Sequence, residues 1–310
     1  MVVAISCASG RGPIIRRTRR ASSGCWTRRE RGSRPFSPKS TEFCCYGHFT
    51  MKDDRESFIA ERAARVEDYR DDGPLQEAAE GFMRESLRAR YSYQFDWLGL
   101  PIIQYPQDVF ALQEIIWTTR PDVIIETGIA RGGSLIFSAS MLALLDLTDA
   151  ERAGHAGVPV ADRRRVVGID LDIRAHNRQA VETHPLAGRI EMVEGDSTDP
   201  AVLDEVRRSI RSEQRVMVCL DSSHTHDHVV KELDLYAPLV TPGCYCAVFD
   251  TVIEEFETAV FPGRPWSQGN NPMTAVRDFL ARDSRFEIDA SISDKLLLTV
   301  ARGGFLKRVA

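Results

Sequence analysis

The chain has 310 residues, of which 43% are hydrophobic and 27% are charged, a balance that supports a sizeable core and excludes a largely disordered chain. Residues 1–50 carry ten Lys/Arg and two Glu, which leaves thirty basic against forty-three acidic side chains in residues 51–310. Residues 51–310 are therefore acidic overall. Binding to a phosphate backbone depends on clustered basic residues, so this composition argues against a nucleic-acid partner. No run approaches the ~20 apolar residues of a membrane helix, so we expect no membrane span.

The basic leader, residues 1–50, has no apolar periodicity, and its arginine pairs precede no apolar segment typical of a secretory signal. We predict that it is either a disordered leader or an upstream stretch before a true start at Met51. The chain has seven cysteines, an odd number, and none of them has zinc-site spacing. This usage indicates a reducing compartment, so we predict a cytoplasmic location.

Two helices are predicted after the leader, over residues 53–69 and 75–90, separated by the breaker Asp72-Gly73-Pro74. Residues 91–107 are aromatic and interrupted by prolines, which predicts a loop packed on the main domain. We therefore assign residues 51–107 to a helical N-terminal extension and lid.

From residue 108 to residue 310 the sequence predicts one further domain, in which short apolar runs alternate with longer amphipathic ones. Strand-length runs rich in β-branched residues cover 123–127, 166–171, 190–194, 216–221 and 245–250. Helix-length stretches cover 108–119, 134–147, 173–183, 200–211, 228–240 and 273–282. Fully apolar strands that alternate with helices indicate an α/β fold, a Rossmann-like doubly wound and mostly parallel sheet. The charged stretch 146–165 predicts a surface insertion, and the tail predicts strands near 286–292 and 296–301.

The first strand of this domain leads into a glycine turn with Gly128, Gly132 and Gly133, whose spacing is not the dinucleotide pattern GxGxxG. A pyrophosphate needs bare backbone N–H groups at a helix N-terminus, whereas Glu126 puts a carboxylate at this turn. That carboxylate would repel phosphates and attract an ammonium group. S-adenosylmethionine has an ammonium group, a sulfonium and no phosphate, so we predict it as the cofactor.

Other acids follow the next strands, at the edge where doubly wound sheets bind their ligands. We expect Glu126 to meet the amino-acid end of the cofactor, Asp170 the ribose hydroxyls, and Asp196 with Ser197 the adenine. The predicted cofactor-binding residues are Glu126, Thr127, Gly128, Gly132, Ser134, Asp170, Asp196 and Ser197. Each of these features is also found in ordinary turns, and the argument depends on their ordered recurrence at successive strand ends.

A histidine-rich segment that begins Asp221-x-x-His224 follows the fourth strand. Methyl transfer to a hydroxyl needs a base, and histidine is the side chain suited to proton transfer near neutral pH, so we predict His224 as that base. Asp221 and Asp250, at neighbouring strand ends, are predicted to hold a hard divalent cation such as Mg²⁺. Two alternatives are that His224 and His228 bind zinc, although no third ligand has zinc spacing, and that Asp221 only caps a helix.

Together these motifs resemble the family named for cephalosporin hydroxylase and rhamnosyl O-methyltransferase. The resemblance runs from about Tyr93 to Val309 and is carried by residues 101–108, 126–134, 221–226, 248–254, 264–266 and 269–272. It implies an S-adenosylmethionine-dependent O-methyltransferase that acts on a hydroxyl of a sugar or glycosylated metabolite and assembles as a homo-oligomer. The acceptor class it implies is a surface polysaccharide, a glycolipid or a natural product.

The resemblance also implies roles for individual residues. In similar macrolide-sugar O-methyltransferases, an Asp-x-x-His supplies an aspartate that binds Mg²⁺ and a histidine that acts as base, which maps onto Asp221 and His224. Those enzymes place a Glu-Asp pair at the end of the fifth strand, where this sequence has Phe249-Asp250. One metal ligand is therefore missing, and either the metal binds more weakly or Glu254 replaces that ligand.

Two aromatic residues are candidate acceptor contacts. Trp266 is predicted to stack on a sugar ring, with packing in the interior as the alternative, and Tyr105 with Gln104 is predicted to border the cofactor pocket. Two rival functions remain at this stage. One is an NAD(P)-dependent oxidoreductase on a similar sheet, and the other is a non-catalytic S-adenosylmethionine-binding homologue, suggested by Phe249.

Overall fold

The computed structural model describes residues 51–310, so the predicted basic leader lies outside the described residues. The helices are α1 (Met51–Asp68), α2 (Gly73–Arg88), α3 (Pro106–Thr119), α4 (Gly133–Arg152), α5 (Ala175–Glu182), α6 (Pro200–Arg208), α7 (His226–Tyr236), α8 (Pro272–Arg282) and α9 (Ala290–Leu296). The strands are β1 (Phe95–Trp97), β2 (Leu100–Ile102), β3 (Val123–Thr127), β4 (Arg165–Asp170), β5 (Ile190–Glu194), β6 (Val216–Leu220), β7 (Tyr245–Val248), β8 (Phe286–Ile288) and β9 (Phe305–Arg308).

A seven-stranded sheet forms the centre of the protein, in the order β5-β4-β3-β6-β7-β9-β8. Strands β3 to β7 pair in parallel, and β9 and β8 are added antiparallel at one edge. The strand order reverses direction at β3, so a crevice is expected beyond the carboxyl ends of β3, β4 and β6. The predicted fold class is confirmed.

The sheet is covered on both faces, which is why its central strands are apolar along their whole length. Every residue of β3 and of β6 is buried. In the part of the chain that the structure describes, α4 is the one helix long and apolar enough to cross a membrane, and 61% of its apolar window is buried inside the protein. Its hydropathy is explained by this packing against the sheet.

The N-terminal extension packs on the sheet domain, and residues 51–310 belong to one compact unit. Met83 of α2 is fully buried, and the Ser86 hydroxyl is 2.8 Å from the hydroxyl of Tyr105. Between α2 and α3, the predicted loop over 91–107 is instead a short helical turn followed by the antiparallel hairpin β1–β2. The assignment of this extension as a lid stays a prediction.

Two expectations about the second half of the chain need correction. The predicted surface insertion begins later than residue 146, because α4 continues to Arg152 and Asp146 is buried in ion pairs with Arg164 and Arg189, and the exposed connection starts only at residue 153. Residues 296–301 form no strand, and β9 begins only at Phe305. The apolar character of 296–301 reflects burial without strand pairing, since the N–H of Val300 donates to the Asp108 carboxylate at 3.0 Å.

Candidate active site

A cavity of about 590 Å³ opens at the carboxyl ends of β6 and β7. Asp221, His224 and Asp250 lie in its wall together with Tyr105 and Trp266. A smaller cavity of about 30 Å³ lies against the glycine turn after β3 and shares Gln104 and Asp221 with the larger one. The two cavities therefore meet at the end of β6, as expected for a cofactor next to its acceptor.

Three potential ligand groups converge at the end of this crevice. One ligand atom from each of Asp221, His224 and Asp250 lies within 4.8 Å of the others, and this is the one such group found in residues 51–310. The Nε2 atom of His224 lies 3.2 Å from Oδ2 of Asp250. Asp250 adopts a left-handed backbone conformation (φ 56°), which is uncommon for residues other than glycine and turns the chain sharply after β7. The structure thus brings together the three residues predicted as base and metal ligands.

The electrostatics of Asp221 favour a cationic neighbour. Burial, followed by the charge of Asp250, raises the pKa of Asp221 well above its usual range. Asp221 Oδ2 accepts a hydrogen bond of 2.8 Å from Nε2 of Gln104, whose own Oε1 is buried and has no partner among the described residues. The charged form of Asp221 is destabilised by Asp250, and the Gln104 amide oxygen beside it is unpaired. These oxygen atoms are ligands that fit a hard divalent cation.

The position of the missing ligand is filled by a core residue. Phe249 is 2% exposed and packs in the hydrophobic core. Glu254 does not replace it, because Glu254 Oε2 accepts from the Gly269 N–H at 2.8 Å and from Asn271 Nδ2 at 2.6 Å, and Oε1 lies 3.1 Å from Arg277. Glu254 instead anchors the segment 256–271. A cation would therefore have two carboxylates from this chain, those of Asp221 and Asp250, with His224 beside them as the predicted base.

The glycine turn is shaped by contacts within the protein. Gly128 has φ +93°, and a Cβ there would lie 2.1 Å from the backbone oxygen of Asp221, while a Cβ on Gly132 would meet Val181. Asp170, predicted to bind ribose, accepts from the N–H groups of Ile129 at 2.8 Å and Ala130 at 3.2 Å. Gly128 and Gly132, predicted as cofactor-binding residues, therefore allow close approach of neighbouring chain segments in the first place.

The acidic residue predicted to meet the cofactor ammonium is buried behind the crevice. Glu126 is 4% exposed, and burial raises its pKa to about 7 against the opposing effect of hydrogen bonds from Ser134 and Ser138. Ser134 lines the smaller cavity, whereas Glu126 is in the lining of neither cavity. Thr127 is fully buried and its hydroxyl has no hydrogen-bond partner in residues 51–310.

A buried polar network that sequence reasoning missed lies beside the predicted adenine contacts. Glu232 is completely buried and accepts hydrogen bonds from Ser197 at 2.6 Å and Ser222 at 2.7 Å, with His228 Nε2 3.4 Å away. The Ser197 hydroxyl is thus held by Glu232, and Asp196 is exposed and accepts from Thr198. The i, i+4 spacing of a histidine and a glutamate just after a strand end was the available sequence signal.

The three histidines after β6 contact different partners, which argues against the alternative that His224 and His228 bind zinc together. His224 precedes α7 and faces the larger cavity, whereas His228 faces Glu232 inside the protein. His226 Nδ1 lies 2.8 Å from the hydroxyl of Thr274, so it joins α7 to α8.

Aromatic rings frame the larger cavity. The Trp266 ring meets His224 edge-on with 4.7 Å between ring centroids, and the Arg264 guanidinium lies 5.0 Å from the Trp266 centroid. Tyr105 also lines the cavity but is 1% exposed, and its hydroxyl is bonded to Ser86. Trp266 is therefore available to an acceptor, while Tyr105 contributes mainly a wall.

Residues 89–309 match the family model described as rhamnosyl O-methyltransferase/CmcI. The rhamnosyl O-methyltransferase of Mycobacterium leprae (strain TN) is 27% identical over 217 residues, which cover 68% of this chain and 82% of that protein. The enzyme of the same name from Mycobacterium tuberculosis (strain ATCC 25618 / H37Rv) is 27% identical over 219 residues, or 68% and 77% of the two chains. Among solved structures, CmcI with Mg and S-adenosylmethionine is similar with a TM-score of 0.46 and 18% identity, covering 70% of this chain and 78% of that one.

Proposed function

Because the chain belongs to the rhamnosyl O-methyltransferase/CmcI family, we propose that it transfers a methyl group from S-adenosylmethionine to a hydroxyl of a sugar or glycosylated metabolite. Family membership confirms the predicted resemblance and the predicted enzyme class. The observation that carries the proposal is the convergence of Asp221, His224 and Asp250 in one cavity wall, next to the glycine turn after β3. The sugar acceptor is supported by the name of the mycobacterial relatives.

His224 is the base in this proposal. Its Nε2 lies 3.2 Å from Asp250 Oδ2, so an Nε2–H donates to that carboxylate and leaves Nδ1 to accept the acceptor proton. The negative charge of Asp250 then stabilises the imidazolium as it forms. When bound, S-adenosylmethionine supplies an electrophilic methyl carbon, so most of the acceleration comes from holding the hydroxyl in line with it.

The smaller cavity is assigned to the amino-acid end of the cofactor. Gly128 and Ser134 line it, and the Ser134 hydroxyl bonds to the buried Glu126. An ammonium group in this cavity would offset the negative charge of Glu126, which has no cationic partner within residues 51–310. Asp170, Asp196 and the backbone near Ser197 would follow along the nucleoside, as the order of strand ends requires.

A divalent cation fits between Asp221 and Asp250. Mg²⁺ commonly uses one or two carboxylates and leaves further positions to water or substrate oxygens. When bound there, it would lower the pKa of the acceptor hydroxyl and so assist proton removal by His224. A homo-oligomeric state and a cytoplasmic location stay predictions.

The test combines binding and turnover. Thermal shift with S-adenosylhomocysteine, NAD⁺ and NADP⁺ separates the cofactor classes, and formation of S-adenosylhomocysteine in the presence of methyl glycosides, methyl α-L-rhamnoside among them, measures transfer. We expect a shift with S-adenosylhomocysteine and product with a glycoside. Stabilisation by a nicotinamide cofactor alone would favour the oxidoreductase. A shift with S-adenosylhomocysteine and no methylated product from any glycoside would favour the non-catalytic homologue.

A further inference from the structure

The larger cavity has charges of opposite sign at its two ends. Its acidic lining residues, Asp221 and Asp250, are partly buried. Its basic lining residues, Arg88, Arg90 and Arg264, are all exposed at the solvent side. A group of three arginines around one cavity is unusual in residues 51–310, which have thirty basic and forty-three acidic side chains.

The three arginines differ in their partners. Arg88 Nη1 lies 3.0 Å from Oε2 of Glu85, so its charge is already matched. Arg90 and Arg264 form no ion pair with any carboxylate in the described part of the chain. Two guanidinium groups at the mouth of one cavity are therefore free to bind an anion, and each can do so through two parallel hydrogen bonds.

Both free arginines are placed by the surrounding structure. Arg90 has a left-handed backbone (φ 51°), a costly conformation for an arginine, and its carbonyl accepts hydrogen bonds from the backbone of Tyr93 and the side chain of Gln94. Arg264 belongs to the segment 256–271 that Glu254 anchors. Its guanidinium lies over Trp266, whose ring in turn contacts the base His224.

We propose that the acceptor carries an anionic group, a carboxylate or a phosphate, that Arg90 and Arg264 bind at the cavity mouth while its neutral hydroxyl end reaches His224. The proposal rests on the proposed function. The contacts from Arg264 to Trp266 and from Trp266 to His224 set the distance between the anionic group and the reactive hydroxyl of the acceptor. Trp266 then faces the sugar ring that lies between these two groups. The acidic inner end repels the same anion, so the two ends of the cavity together choose the orientation in which the acceptor enters.

The test is binding of small glycosides to the full chain saturated with S-adenosylhomocysteine, measured by calorimetry at low salt. The probes are methyl β-D-glucuronide for the carboxylate, glucose 6-phosphate for the phosphate and methyl β-D-glucoside as the neutral match. We expect at least one anionic probe to bind about ten-fold more tightly than the glucoside, because a hydrogen bond to a charged group is stronger than one to a neutral group. The stronger of the two anions identifies the source of the charge.

Variants assign the preference to the two residues. The double variant R90Q/R264Q is expected to bind the anionic and neutral probes equally, whereas R88Q is expected to keep the preference because Arg88 is already paired. The preference should also weaken as NaCl is raised. Equal affinity of all probes for the wild type, absence of binding by every probe, or a preference that survives in R90Q/R264Q would each overturn the inference. The proposed function is judged separately, since transfer to a neutral glycoside would uphold it in all of these cases.

Discussion

Replacing Asp250 with Asn tests whether this aspartate acts through His224. The two side chains are 3.2 Å apart and only 28% and 16% exposed, so the hydrogen bond is partly shielded from water. A hydrogen bond to a charged group contributes roughly 1.5–3 kcal/mol, and partial exposure reduces this to about 1–2 kcal/mol. Since the imidazolium forms only during the reaction, we expect kcat to fall about 5- to 30-fold with KM for S-adenosylmethionine unchanged.

A double-mutant cycle distinguishes an effect of Asp250 exerted through His224 from an independent one. His224→Ala should lower kcat by roughly 10²–10⁴-fold, because it removes the base. If Asp250 acts through His224, the double variant H224A/D250N should be no slower than H224A alone when both are assayed in EDTA, where Asp250 cannot also act as a cation ligand. The matched control is Asp227→Asn, an exposed acid at the start of α7 that is in the lining of neither cavity. Initial rates of S-adenosylhomocysteine formation at saturating cofactor supply the measurement.

Independent, multiplicative losses in H224A and D250N would refute this reasoning. In the absence of a cation, that outcome would mean that Asp250 orients the acceptor without the help of the imidazole. An unchanged kcat in D250N would be equally contrary, since the 3.2 Å contact would then contribute nothing to the reaction.

Three further predictions follow from named contacts. Gly128→Ala should abolish soluble folding or lower the melting temperature far more than the control Gly154→Ala. Both glycines have positive φ, but only Gly128 has a backbone oxygen 2.1 Å from the added Cβ. Similar melting temperatures for the two variants would contradict this. Mg²⁺ should raise the melting temperature of the wild type and not that of Asp221→Asn, because the cation would offset the burial and the repulsion from Asp250 that together raise the pKa of Asp221. An equal shift in both proteins would contradict the metal site. Burial alone would lower the pKa of His228, but the hydrogen bond and charge of Glu232 outweigh it and raise that pKa above its ordinary 6.5. The pair therefore stabilises the protein fully below pH 6.5 and loses this contribution as pH rises through the folded-state pKa, so Glu232→Gln should flatten the profile of urea unfolding midpoint against pH in that window; an unaltered profile would count against it.

The sequence determined the five parallel strands of the sheet and the identity of the reactive segment. Strands β3 and β5 were predicted at their observed limits because runs of five apolar or alternating residues between breakers report strand burial directly. Asp221-x-x-His224 was found because it directly follows such a run, and parallel strands bring their carboxyl ends to one edge. These are local patterns, and local patterns are readable along a chain.

The partners of the reactive residues were decided only by the tertiary structure. Gln104 reaches Asp221 across 117 residues, and Glu254, a candidate metal ligand by sequence, turns instead to Gly269 and Asn271. Periodicity reports which face of an element is buried, but not which distant side chain meets it there. Those pairings are set by the strand order, by the left-handed turn at Asp250 and by the packing of loops over the sheet. Each of these features depends on contacts between segments that are far apart in the sequence.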